Sequence, residues 1–286
     1  MPELPEVETM ARDIRPALAG ATIKSVCVYK PDILRRIRRP AFVAALKGRR
    51  VRAVGRRAKH VVIELDDGRR VIVQPRMTGS FGVRRRGTAA PRKHGHSGTA
   101  QTTDPYICLE LELTSGKTVF YRDVRRLGCV FLLGQAGWDQ YDSALGPEPL
   151  EPGFTVDRLA GILAGTKTAV KKAIMDQKRL VGVGNIYANE ALWMAGIDPS
   201  KPSHKVPDAK TPGLHQAIVE VLRASIEGRG TTIRDYRTGT GEPGNFAGRL
   251  VVYERAGEPC LRCGKRIALT HAIDGRATYF CPGCQR

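Results

Sequence analysis

The sequence predicts an α+β protein of two domains: an N-terminal helix leading into a β-sandwich, followed by a helical half that ends in a cysteine-rich segment. Three observations carry this. The apolar period is helical at the start, close to two from about 22 to 134, and helical again from 154 to 228. A Pro- and Gly-rich stretch, Gly146-Pro147-Glu148-Pro149 with Pro152-Gly153, stands between the two patterns. Four of the seven cysteines crowd together near the C-terminus.

Each element follows from its own residues. Val7, Met10, Ile14 and Leu18 recur at helical spacing, with Pro5 before them and Gly20 as a stop, which predicts a helix over 6–19. Val61 to Leu65 and Val71 to Val73 flank Asp66-Asp67-Gly68, a hairpin pattern. Ile107, Leu109, Leu111 and Leu113 alternate onto one face, Ser115-Gly116 turns the chain, and 119–121 and 129–132 continue the strands. Residues 84–104 are basic, rich in Gly, Ser and Thr, and read as a long mobile loop. The expected domains are 1–134, a linker at 135–153, a helical domain at 154–248 and a cysteine-rich segment at 249–286. In the helical part, Lys167–Gln177 and Ile186–Ile197 read as two helices joined by Gly182-Val183-Gly184-Asn185. A third spans Leu214 to Ser225, with Thr211-Pro212 at its cap and first turn and Gly228 and Gly230 ending it.

Lys and Arg number 47 against 28 Asp and Glu, a net charge of +19. That balance points to a polyanion, nucleic acid ahead of an anionic membrane, with a basic solubility surface as the alternative. No run of apolar residues is long enough to cross a bilayer, so no membrane partner is expected. The acidic, Pro-rich start Met1-Pro2-Glu3-Leu4-Pro5-Glu6 is unlike a signal peptide, and a cytoplasmic location is expected.

Cys260-x2-Cys263, a gap, and Cys281-x2-Cys284 form the most specific motif. Each CxxC turn aims two thiolates at one ion, and two turns fill a tetrahedral Zn²⁺ shell with no open position, so one structural zinc is expected. A coincidental or redox pair of dithiols is the alternative. The match of Pro259-Cys260-x2-Cys263 to half of a deaminase signature fails because no His-x-Glu occurs. Cys27, Cys108 and Cys129 stand alone and read as small buried hydrophobes.

Two further sites carry chemistry less specifically. Asn185 is placed to cap the second helix of the pair, where free amides suit a phosphate, and Lys167, Lys171, Lys172, Lys178 and Arg179 add charge. Taken alone, so short a run reads first as an ordinary helical hairpin with a good cap. Pro2 becomes a secondary amine once Met1 is removed. An α-amine titrates near about 7.7–8.0, well below lysine, so more of it is nucleophilic at neutral pH. Attack on a sugar C1′ would give an iminium that displaces a base and then acts as an electron sink, with Glu3 or Glu6 as general acid/base. Taken alone, the same residues are a Pro-rich helix entry with dipole-friendly acids.

With these residues together, the chain resembles the formamidopyrimidine-DNA glycosylases of the Fpg/Nei family, over nearly its whole length. Met1-Pro2-Glu3-Leu4-Pro5-Glu6-Val7-Glu8, Arg57-Ala58-Lys59, Gly182-Val183-Gly184-Asn185-Ile186-Tyr187-Ala188 and the four cysteines resemble family motifs in the family's order. The resemblance implies a β-sandwich domain, a helix-two-turn-helix domain and a β-hairpin zinc finger. It implies a bifunctional glycosylase/AP lyase of base excision repair, at the nucleoid, acting on damaged double-stranded DNA; a monomer is expected, since a search along DNA for damage needs no symmetry. Pro2 would be the nucleophile and Glu3 the acid/base. Lys59, Asn185 and Arg276 would hold phosphates, with Lys172 adding to the DNA surface. Met77 would fill the void left by a flipped nucleotide, Arg125 would face the orphaned base, and the loop of Thr231, Thr232, Arg234 and Tyr236 would cover the extruded one. Leu127 stands where the Fpg branch has an aromatic wedge, and Gln74-Pro75-Arg76 stands where the run is expected to begin His-Leu. The expected substrates are oxidised purines, 8-oxoguanine and formamidopyrimidines, released with β,δ-elimination. Oxidised pyrimidines, as in the Nei branch, or a non-catalytic lesion-binding protein are the other readings.

Overall fold

Where apolar alternation meets turn formers, the chain forms antiparallel strands. The structure is a computed structural model that describes residues 2–85, 104–233, 238 and 242–286. It divides into one unit of residues 1–2, 6–142 and 229–245, and another of residues 3–5, 143–228 and 246–286.

The first unit is the β-sandwich. Its elements are α1 (Leu4–Leu18, of which residues 4–5 group with the other unit), β1 (Ile23–Val28), α2 (Arg39–Leu46), β2 (Val51–Arg57), β3 (His60–Leu65), β4 (Arg70–Gln74), β5 (Gly79–Arg85), β6 (Ile107–Leu113), β7 (Lys117–Asp123), β8 (Cys129–Leu133) and α3 (Gln135–Ser143, of which Ser143 groups with the other unit). The strands form two four-stranded sheets, ordered β1-β6-β7-β5 and β2-β3-β4-β8. The hairpin expected around Gly68 forms, with Ile63 opposite Val71 and Gly68 at φ +82°. Val7, Met10, Ile14 and Leu18 of α1 are fully buried in the same core as Val28, Ile63, Val73 and Leu109. Burying one such side chain is worth about 1.5–3 kcal/mol. Four of them approach the net stability of a whole domain, so this unit holds α1 firmly.

Two sequence expectations change here. The other face of β6 is covered as well: Cys108 and Glu110 are buried, and Glu110 accepts from the Tyr29 hydroxyl at 3.0 Å and from Arg84. Residues 135–143, inside the expected linker, form α3, whose Trp138 ring lies under the Arg70 guanidinium and whose Tyr141 packs on Phe131. Of the basic loop, residues 86–103 lie outside the described residues.

The second unit contains α4 (Val156–Ala164), α5 (Val170–Met175), α6 (Asn185–Met194), α7 (Thr211–Glu227) and the hairpin β9 (Ala268–Thr270) and β10 (Thr278–Phe280). Thr155 caps α4 by accepting from Arg158 N at 3.1 Å. The helix expected from Lys167 to Gln177 is shorter. Val170 N and Lys171 N donate to Lys201 O and Pro199 O, so α5 starts only there, and Asp176 ends it. The next helix stops at Met194 rather than Ile197, because Gly196 turns the chain at φ +63°. Thr211 is the first residue of α7 and Lys210 precedes it, so Pro212 sits in the first turn as expected but Thr211 is not the cap.

Candidate active site and metal centre

In the second unit the glycine run before α6 meets the N-terminal segment. Glu3 is 1% exposed. Its Oε2 accepts from Gly184 N at 2.7 Å and its Oε1 from Ile186 N at 2.9 Å. The carboxylate therefore occupies the positive end of α6 and fixes its own orientation. The glycines permit this approach. A Cβ on Gly184 would lie 2.3 Å from Glu3 Cδ, and one on Gly182, at φ +83°, 2.4 Å from Leu4 Cδ1. Leu4 N also donates to Gly182 O at 3.1 Å.

This corrects the expected cap. Asn185 is the first residue of α6, Gly184 holds the cap position, and no side chain from the helix itself caps it. Two of the amides expected to be free, those of Gly184 and Ile186, are taken by Glu3. Asn185 instead donates from Nδ2 to Ala277 O at 3.0 Å, and its Oδ1 is buried without a hydrogen-bond partner. The adjacent Tyr253 hydroxyl is raised above the ordinary tyrosine range by burial, partly offset by its bond with the Asn185 amide.

The lysines beside the turn split. Lys172 is exposed on α5, whereas Lys171, expected to add charge beside the turn, is fully buried. Its Nζ donates to Thr278 Oγ1 at 2.7 Å and lies 3.6 Å from Asp274 Oδ1. Burial lowers its pKa, against the pull of Asp274. Arg276 follows Asp274 in the turn between β9 and β10, with its side chain 59% exposed. So Glu3, Asn185 and the Arg276 turn are brought together in this unit, linked through Ala277 and Thr278. Sequence reading missed Asp274 and Tyr253; a single acid and a single aromatic carry no spacing signal.

In the first unit, Pro2 is buried, and the neighbouring acid Glu6, 1% exposed, accepts from Thr231 N at 2.7 Å. Lys59 lies in the two-residue turn between β2 and β3, where Ala58 takes φ +54°. His60 anchors that turn. The Gln74 amide nitrogen sits 2.8 Å from His60 Nε2, and the Tyr141 hydroxyl 2.7 Å from Nδ1. Gln74 Oε1 accepts from Arg76 and Cys129, so its nitrogen faces His60, and a nitrogen that only donates requires an accepting Nε2. The proton is thus assigned to Nδ1. Burial and then the cations Lys59, Arg57, Arg76 and Arg56 hold this imidazole down at about 3, neutral at physiological pH. Met77, Arg125 and Leu127 are all exposed, on the β4–β5 and β7–β8 turns. Arg234 and Tyr236 lie outside the described residues.

The four cysteines bring all their sulfurs within 4.8 Å of one another. The separations Cys260–Cys284, 3.8 Å, and Cys263–Cys281, 3.4 Å, are close to the roughly 3.8 Å that tetrahedral Zn–S bonds of about 2.3 Å impose. The residues fit one structural zinc. The centre is built into the second unit's core: Cys260 and Cys281 are buried with Trp193, Val252 and Ile267. Burial raises the Cys260 thiol, but N–H donors from Arg262, Trp193 and Cys263 outweigh it and bring it down to about 6. Among the single cysteines, Cys108 and Cys129 are buried and Cys27 is half-buried.

The chain is similar to one family along its whole length. Residues 1–130 match the profile described as the formamidopyrimidine-DNA glycosylase N-terminal domain, 145–237 the H2TH domain of that enzyme, and 257–286 the zinc finger found in FPG and IleRS. The chain is 43% identical over 291 residues to the formamidopyrimidine-DNA glycosylase of Methylococcus capsulatus and 40% identical over 289 residues to that of Roseiflexus sp., covering 100% of each chain in both cases. Wild-type Lactococcus lactis Fpg bound to DNA containing N7-benzyl-Fapy-dG superimposes with a TM-score of 0.86 at 30% identity and full coverage of both chains. The same enzyme bound to DNA containing an abasic site gives 0.86 at 29%, covering 99% of each.

Proposed function

Because this chain belongs to the formamidopyrimidine-DNA glycosylase family, we propose that it is a base-excision-repair enzyme that releases oxidised purines from duplex DNA through a Schiff base on Pro2. The observation that carries the reading is the buried Glu3 carboxylate, oriented by two backbone amides and adjacent in sequence to the nucleophile.

The chemistry follows in steps. With Met1 removed, the Pro2 nitrogen attacks C1′ of the damaged nucleotide and the C1′–N bond to the base breaks, its electron pair leaving with the base. Ring opening at O4′ leaves an iminium between Pro2 and C1′. Glu3 supplies and removes protons on the opened sugar. The iminium makes a C2′ proton acidic, so β-elimination breaks the 3′ C–O bond, and δ-elimination then breaks the 5′ one. Lys59 and Arg276 grip phosphates flanking the flipped nucleotide. Asn185 joins them as the link between the α6 turn and the hairpin, and Lys172 adds long-range attraction. Met77, Arg125 and Leu127 fill and read the space the nucleotide leaves, since flipping costs a few kcal/mol of unstacking. Leucine stacks less well than an aromatic ring, so the insertion relies more on shape. The zinc ion holds the hairpin that presents Arg276 and takes no part in the chemistry.

No helix among the described residues is long and apolar enough to cross a membrane. The enzyme works as a monomer in the cytoplasm, at the nucleoid, because a lesion on one strand needs one active site.

The test is borohydride reduction during reaction with a duplex containing oxidised guanine. A covalent protein–DNA species should accumulate, and faster than on a duplex with an oxidised pyrimidine. No reduced adduct on any damaged or abasic DNA would sink the enzymatic reading. A milder change tests the phosphate grips: Arg276→Ala should weaken binding to all duplexes alike and flatten the log Kd against log salt slope by about 1. An unchanged salt slope would remove Arg276 from the phosphate contacts.

A further inference from the structure

Asp123, the last residue of β7, is fully buried, yet no cation is among its hydrogen-bond partners. It accepts from three donors: Thr78 Oγ1 at 2.5 Å, Gly128 N at 2.8 Å and the Tyr121 hydroxyl at 3.3 Å. Thr78 in turn accepts from Arg125 N at 3.0 Å. Thr78 belongs to the turn after β4, and Arg125 and Gly128 to the turn after β7. One carboxylate therefore ties together the two turns that expose Met77 (38%), Val124 (41%) and Leu127 (49%).

The packing around this knot leaves no slack. A Cβ on Gly79 would lie 2.4 Å from the Tyr121 hydroxyl, and one on Gly128 2.0 Å from it and 2.9 Å from Asp123 Oδ2. Both turns are thus pressed onto the same phenol. Burial, followed by the nearby Asp123 charge, pushes that phenol well above its ordinary range, so it stays a donor. Arg76 and Arg126, one in each turn, sit at φ +52°, a left-handed conformation that needs such external support in a non-glycine residue.

We propose that Asp123 is a positioning residue that, through Thr78 and Tyr121, locks the 75–78 and 124–128 turns into one rigid wedge, so that Met77, Arg125 and Leu127 enter the duplex in fixed register. This rests on the glycosylase reading above. Asp123 touches no substrate; it acts by removing the freedom the two turns would otherwise lose on insertion.

Thr78→Val keeps the shape and deletes the hydroxyl, cutting the bond to Asp123 and the one from Arg125. Tyr121→Phe deletes a different donor to the same carboxylate and serves if the first variant fails to fold. Two readouts separate positioning from general damage. Single-turnover borohydride trapping is compared on a duplex with an abasic site and on the same strand without its complement, where nothing needs displacing. The variant should be about tenfold slower on the duplex and within twofold of the parent on the single strand. Fluorescence of 2-aminopurine beside an abasic analogue reports wedge insertion without any chemistry, and should rise less with the variant. Equal slowing on both substrates, or unchanged trapping and fluorescence, would overturn the proposal. If the parent enzyme traps neither substrate, the glycosylase reading fails, and the fluorescence comparison still decides the wedge.

Discussion

Changing Glu3 to glutamine is expected to slow base release by about 10²–10⁴-fold while leaving DNA binding within a few-fold of the parent. The rate loss is the usual size for removing a general acid/base. Glutamine keeps the length but offers one acceptor oxygen where Glu3 uses two, for Gly184 N and Ile186 N. One buried N–H then faces an NH2 group, at a cost of about 1–3 kcal/mol. The melting temperature should therefore fall by several degrees, and the chemistry should fall much further than this loss explains. The phosphate contacts proposed for Lys59 and Arg276 are untouched, so affinity for an abasic-analogue duplex should hold. Single-turnover base release, duplex affinity and thermal melting on one preparation separate the effects. A release rate within threefold of the parent would remove Glu3 from the chemistry and leave it as the structural anchor of α6.

That anchor also shows where sequence reading stops. The strand pairs 60–65 with 70–74 and 107–113 with 117–123 were legible because period-two alternation and a Gly-bearing turn are local signals. The zinc site was legible because metal geometry imposes spacing on its ligands. The role of Asn185 was not. An Asn after glycines before an apolar run reads as a cap, but the cap comes from Glu3, 181 positions from Gly184. Lys171 was misread for the same reason. Beside Lys172 it belongs to a basic surface, until Thr278, 107 residues on, gives its ammonium a buried partner. Both misreadings lie where a segment distant in sequence supplies a charged or polar partner, and no periodicity records that. Asp123, whose carboxylate ties down the turn that carries Arg125 and Leu127, was not singled out from the sequence. An acid at a strand end, five residues before a glycine that cannot carry a side chain, was the available signal.

Stripping the zinc is expected to weaken binding to an abasic-analogue duplex by 100-fold or more, without unfolding the β-sandwich. The 260–286 segment buries little besides the cluster of Trp193, Val252, Cys260, Ile267 and Cys281. Binding energies of about 10–16 kcal/mol for such thiolate sites exceed the stability a segment this small can supply, so its fold depends on the metal. Losing the hairpin also removes the partners of two groups on the helices. Ala277 O receives the Asn185 amide, and Thr278 Oγ1 with Asp274 compensates the buried Lys171 charge. An uncompensated ammonium is not tolerated in that interior, so α5 must shift to hydrate it. The damage therefore spreads from Arg276 to the α6 turn that Glu3 caps. The chain has two tryptophans, and Trp138→Phe leaves Trp193 as the reporter, its indole N–H 3.4 Å from Cys260 Sγ. Chelator titration should release one zinc per chain, shift the Trp193 emission to the red and abolish tight DNA binding together, while far-UV signal from the strands persists. DNA affinity within twofold of the parent after full zinc release would show that the hairpin holds Arg276 without its metal.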